Sequence, residues 1–71
     1  MFTLGDRIEL PAHYDYWMRG ARFGTVVKFK KAFSPRPSDQ AYDRFLIKMD
    51  NPRIKRLVTL PSYDWEFARI I

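Results

Sequence analysis

The chain has 71 residues and no cysteine. That length leaves room for one domain, near the size at which a single core just outweighs chain entropy, and the missing thiols exclude disulfides and thiolate metal sites. Hydrophobic residues make up 46% and aromatics 17%, too apolar a composition for disorder, so aromatic rings are expected to supply the core volume. Thirteen Lys and Arg against eight Asp and Glu give a net charge of +5, a field that concentrates polyanions around the molecule.

No apolar run reaches the roughly 18 residues needed to cross a bilayer, and the first residues lack the basic start and apolar stretch of a signal peptide. A cytoplasmic domain without membrane contact is expected.

Residues 6–10 alternate, with Ile8 and Leu10 apolar against Arg7 and Glu9, the period of a half-buried strand. Pro11 ends it. Residues 12–19 form a loop dense in aromatics, with neither strand nor helix period, and too short for a stable helix of its own. Gly20 and Gly24 bracket the entry to a second strand; a glycine inside a strand marks a bulge or a corner, which places the bend at Gly24. Phe23, Thr25, Val27 and Phe29 then share one face, the expected core face, and leave Val26, Lys28 and Lys30 on the other.

Residues 32–40, with Pro35 and Pro37, read as an exposed loop. The third strand, 42–49, sets Phe45, Ile47 and Met49 against Tyr42, Arg44, Leu46 and Lys48. Asp50, Asn51 and Pro52 turn the chain into a fourth strand, 54–60, with Val58 and Leu60 inward. Pro61 and Ser62 suit one 3₁₀ turn, and residues 65–70 supply the last strand. No internal repeat and no low-complexity segment stands out.

Five short strands joined by turns, without a helical stripe, predict a single all-β domain over residues 1–71, an antiparallel meander curled onto itself. Gly5-Asp6 ahead of the first strand, Gly24-Thr25-Val26 at the second, and a one-turn 3₁₀ step before the final strand resemble the SH3-like small β-barrels, most closely their KOW and Tudor-like branch. The compact size and unusual loop are also similar to small orphan barrels of bacteriophages. The resemblance implies a five-stranded antiparallel SH3-like barrel and a binding rather than enzymatic role. Tyr14-Asp15-Tyr16 and Pro61-Ser62-Tyr63 resemble fragments of the aromatic groove of peptide-binding SH3 domains. Here, however, the loop ends in Arg19 and Arg22, no Trp pair follows in mid-chain, and a cationic rim repels the basic anchor of a proline-rich ligand.

His13 is the only histidine, with no Ser or Cys beside it in a nucleophilic pattern. The aspartates fall singly at turns and strand ends, without metal-loop spacing, and no glycine loop opens a helix to cradle a phosphate. No catalytic residue, metal or cofactor is therefore expected.

Between Arg19 and Arg36 lie six cations and no acid, and a second basic stretch holds Arg44, Lys48, Arg53, Lys55 and Arg56 against Asp50 alone. With odd residues inward, Lys28, Lys30, Arg44 and Lys48 project from one outer surface, with Tyr42 and Leu46 between them. Arg19, Arg22, Lys31 and Arg36 extend the track. Such cations neutralise phosphates while the tyrosine offers a ring to an unstacked base. The leading expectation is a small basic module that contacts nucleic acid, RNA or DNA, through the outer face of strands two and three, without reading base sequence. The alternative is an adaptor or inhibitor that sets the aromatic loop 13–19, through Tyr14, Tyr16, Trp17, Met18 and Arg19, against an acidic protein surface. Trp17 then either covers an open end of the barrel or stands in that interface. The position of Trp65 directly after the 3₁₀ turn favours packing.

Overall fold

A computed structural model describes residues 2–32 and 42–71. The expected proline loop from residue 33 onward, and Arg36 with it, lie outside the described residues. The chain runs β1 (Arg7–Glu9), a 3₁₀ segment η1 (Asp15–Arg19), β2 (Phe23–Lys30), β3 (Arg44–Met49), β4 (Val58–Pro61), a second 3₁₀ segment η2 (Ser62–Phe67) and β5 (Arg69–Ile70). All five strands join one antiparallel sheet in the order β4-β3-β2-β1-β5. β4 and β5 are its two edges, and among the described residues no ladder joins them. The ends are not zipped together because β5 is only two residues long and the preceding residues, expected as strand from Trp65 on, wind instead as 3₁₀ up to Phe67.

The core consists of Ile8, Leu10, Ala21, Val26, Phe45, Ile47, Met49, Val58 and Leu60. In β3 and β4 the expected alternation is found. In β2 it is not. Gly24 and Val26 point inward, whereas Phe23 and Val27, expected in the core, are 38% and 40% exposed. The reason is a bulge: Val26 pairs with Ile47 and Lys28 with Leu46, which leaves Val27 without a partner of its own. One extra residue inverts the parity of everything after it. Phe29 is thereby brought opposite Phe45, with ring centroids 5.0 Å apart, yet it too was expected in the core and is 41% exposed, because it covers the rim of the sheet and not its interior; Lys28 and Lys30 stay outside.

The bulge falls at Val27, three residues beyond Gly24. Gly24 has a different necessity, since a Cβ there would lie 2.6 Å from Ile47 Cγ2 and 2.8 Å from the Lys48 carbonyl oxygen. The backbone of β3 passes too close for any side chain.

A short echo in the sequence explains both 3₁₀ segments. Leu10-Pro11 closes β1 and Leu60-Pro61 closes β4; each pair is buried and each is followed by Tyr-Asp and then a tryptophan. Proline cannot continue the ladder. The chain then winds tightly enough to bring Trp17 Nε1 to the Leu10 carbonyl at 2.9 Å and Trp65 Nε1 to the Leu60 carbonyl at 3.0 Å. Each indole thus lies against the core while its one donor is satisfied by the strand end. The loop expected to lack regular structure is accordingly a five-residue 3₁₀ segment. It stops at Gly20, whose φ of 76° is left-handed and whose N–H donates to Trp17 O.

Replacing Gly24 with Ala is expected to lower stability by about 1–3 kcal/mol through overpacking against β3. Thermal melting monitored by circular dichroism checks this, and an unchanged midpoint would refute the close approach.

Candidate functional site

The register of β2 on β3 fixes what the outer face carries. Thr25 lies opposite Lys48, Lys28 opposite Leu46 and Lys30 opposite Arg44, and cross-strand partners share a face. Lys28, Lys30 and Lys48 are exposed, while Arg44 and Leu46 are half-buried. Lys31 is exposed just beyond the end of β2. Tyr42 precedes β3 and leans its ring edge-on against Tyr63 of η2 at 5.0 Å. A hydrogen bond with Tyr42 raises the Tyr63 hydroxyl above its ordinary pKa. Tyr42 is still 37% exposed at the margin of the face.

Five of the described acids are engaged elsewhere. Asp50 takes a bidentate pair from Arg7, whose hydrogen bonds hold its carboxyl below the usual range. Glu9 accepts from Arg22 at 2.6 Å. Asp64 accepts from the Tyr14 hydroxyl at 2.6 Å and lies 3.3 Å from His13 Nε2. Asp6 and Asp43 accept from the backbone N–H groups of Thr3 and Ala32. Among the described residues Lys28, Lys30, Arg44 and Lys48 make no ion pair.

Arg19 and Arg22, expected to extend the track, are turned to other work. Arg22 is held between Glu9 and the Trp17 ring, with its guanidinium carbon 4.1 Å from the ring centroid. Arg19 lies 6.0 Å from the Tyr16 ring centroid, on the side of the molecule facing the β3–β4 turn. The aromatic loop does not present an open patch, because Tyr14, Tyr16 and Trp17 pack against the core. Of the five residues expected in that interface, Met18, at 91% exposure, and Arg19 are exposed.

The site reasoning from sequence left out Arg53, Lys55 and Arg56. These three line a cleft of about 290 Å³ with Tyr16, Arg19 and Ile54. Their basic spacing was legible, but their approach to Arg19 depends on a contact across 32 positions, from Asn51 Nδ2 to the Arg19 carbonyl at 3.5 Å.

Among the described residues no group of three His, Asp or Glu side chains gathers as a metal site, and no helix is long and apolar enough to cross a membrane. Compared with known proteins, the chain matches no family model, no curated protein and no solved structure.

Burial, and then the hydrogen bond to Asp64, raise the Tyr14 hydroxyl well above its ordinary pKa. An unfolded tyrosine ionises near pH 10, so the folded state keeps a proton that the unfolded state loses. This contribution is complete below about pH 10 and declines above it. Tyr14→Phe is expected to cost about 1–2 kcal/mol at neutral pH, with the gap to the unsubstituted chain narrowing above about pH 10. Urea unfolding at the two pH values tests it; a gap that stays constant would show that the hydroxyl is not protected.

Proposed function

We propose that this chain is a small, non-enzymatic binding module of the SH3-like kind that takes nucleic acid on the outer face of β2 and β3. The observation that carries the reading is the exposed group Lys28, Lys30 and Lys48 with Arg44, set by strand register on one rigid surface and without acid partners among the described residues. The strand order and the 3₁₀ segment before the last strand support the SH3-like part. Leu46, half-buried opposite Lys28, and Tyr42 at the margin add apolar and aromatic surface beside the charges.

Strands are a firm base for such contacts. Their side chains are spaced by the pleat, so binding phosphates costs only the ordering of the lysine stems, and sequence preference is not built in. Four phosphate contacts on this face contribute about −2.8 to the slope of log affinity against log salt for a single strand.

Neutralising two of them in Lys28→Gln/Lys30→Gln is expected to reduce the slope by about 1.4. Reversing them in Lys28→Glu/Lys30→Glu should weaken binding at least about tenfold at roughly 50 mM salt, with an unchanged melting temperature. Fluorescence anisotropy with a labelled oligonucleotide measures both. Unchanged slope and affinity would remove this face from the reading, and capture of an acidic protein in place of any nucleic acid would replace it.

A further inference from the structure

On another part of the surface the chain builds a second basic feature, and it is a cleft and not a face. Its walls come from two segments far apart in sequence: Tyr16 and Arg19 from η1, and Arg53, Ile54, Lys55 and Arg56 from the turn between β3 and β4. Four of the six lining residues are cations and none is acidic. None of the four makes an ion pair among the described residues.

Asn51 organises it. Its side-chain oxygen accepts from Arg53 N at 2.9 Å and its main-chain oxygen accepts from Ile54 N at 3.0 Å, which shapes the turn. Its side-chain nitrogen donates to the Arg19 carbonyl at 3.5 Å, which ties that turn to η1. Ile54 and Tyr16 pack against the core, so the floor of the cleft is anchored to the sheet. Both polar atoms of one side chain are thus engaged in holding like charges near one another, an arrangement that is electrostatically unfavourable and that an anion relieves.

The lining also says which kind of anion. Three guanidinium groups present forked donors that match phosphate oxygens in pairs. Tyr16 supplies an aromatic wall, which a duplex with its bases stacked inside cannot use and an unstacked base can. The volume, about 290 Å³, lies at the small end of ligand sites, on the scale of a single nucleotide and not of a folded partner.

We infer that this cleft is a second nucleic-acid site, which takes one nucleotide of a single strand by pairing its phosphate with Arg53, Lys55 and Arg56 and setting its base against Tyr16. The inference rests on the nucleic-acid reading of the β2/β3 face, yet uses none of the same residues. The chain therefore favours single strands over duplex, because only a single strand satisfies both the charges and the ring.

The test uses the full chain, a labelled oligothymidylate of about 8 nucleotides and a duplex of equal length. In Arg53→Gln/Lys55→Gln/Arg56→Gln the salt slope for the single strand is expected to fall by about 2. In Tyr16→Leu, which keeps an apolar contact to the core, single-strand affinity is expected to drop about tenfold while duplex affinity holds. Circular dichroism melts confirm that each variant is folded. Should the triple variant bind as the original does while Lys28→Glu/Lys30→Glu loses binding, the cleft is overturned and the face stands. Loss in the triple variant alone upholds the cleft and overturns the face. Binding of polyglutamate, abolished in the triple variant, with no binding of oligothymidylate, would reassign the cleft to an acidic protein and overturn the inference.

Discussion

Between Val26 and Lys28 the second strand carries one residue more than its partner, and the sheet on either side of that point is arranged differently. Before it, even residues face inward, so Gly24 and Val26 lie against Ile47 and Met49. After it, the odd residue Phe29 reaches Phe45 and the aromatic cluster that Phe2 and Trp65 complete. A straight strand of eight residues could not set both Val26 and Phe29 on the inner side. The bulge lets Val26 fill the core while the half-exposed Phe29 edges onto Phe45, and it adds the local twist that bends a long strand around a small interior. It also decides the outer surface: without the extra residue the even parity would continue inward, and Lys28 and Lys30 would follow Val26 into the core.

The distribution of charge follows from what the turns require. Most described acids are tied into local structure: Asp6 and Asp43 to backbone N–H groups, Asp64 to Tyr14, Glu9 and Asp50 to Arg22 and Arg7. Those contacts are individually weak where exposed. Their effect on the field differs: the Glu9–Arg22 and Asp50–Arg7 pairs cancel charge locally, whereas Asp6, Asp43 and Asp64, bonded to neutral donors, keep theirs at the positions the turns fix. The net +5 is therefore expressed mainly by residues outside these pairs, on β2, β3 and the turn after β3.

The parts of this arrangement that were readable from sequence are those with a local cause. Alternation in residues 44–49 and at Val58 and Leu60 places the core of β3 and β4 correctly, and prolines mark the ends of β1 and β4. The five-stranded antiparallel sheet follows from the same punctuation. The parity of β2 was not readable, because Val26 and Val27 are adjacent residues of equal hydrophobicity and nothing local says which is the unpaired one. Gly24 pointed to a real constraint, the close approach of β3, while the bulge lies three residues further on. η1 was hidden because its stabilisation comes from an indole bond back to Leu10 and from packing on the core, not from helical periodicity. Of the candidate cations, those on strands are set by pairing, whereas Arg22 is removed by Glu9 and Trp17, partners that only the fold brings to it.

The two basic regions are separated by a seam with a chemical cause. Asp50 follows the last residue of β3 and closes the ladder through its N–H to the Phe23 carbonyl at 3.0 Å. Its side chain pairs with Arg7, which also donates to Thr25 opposite Lys48. Asn51, the next residue, begins the turn that carries Arg53, Lys55 and Arg56. A neutralised pair thus sits in sequence between Lys48 and the cleft cations. The Arg7 hydrogen bonds hold the Asp50 carboxyl below its ordinary pKa, which favours the charged form of the pair. On the nucleic-acid reading proposed above, a strand that spans both basic regions must cross this paired segment, which a single strand does by bending more readily than a stiff duplex.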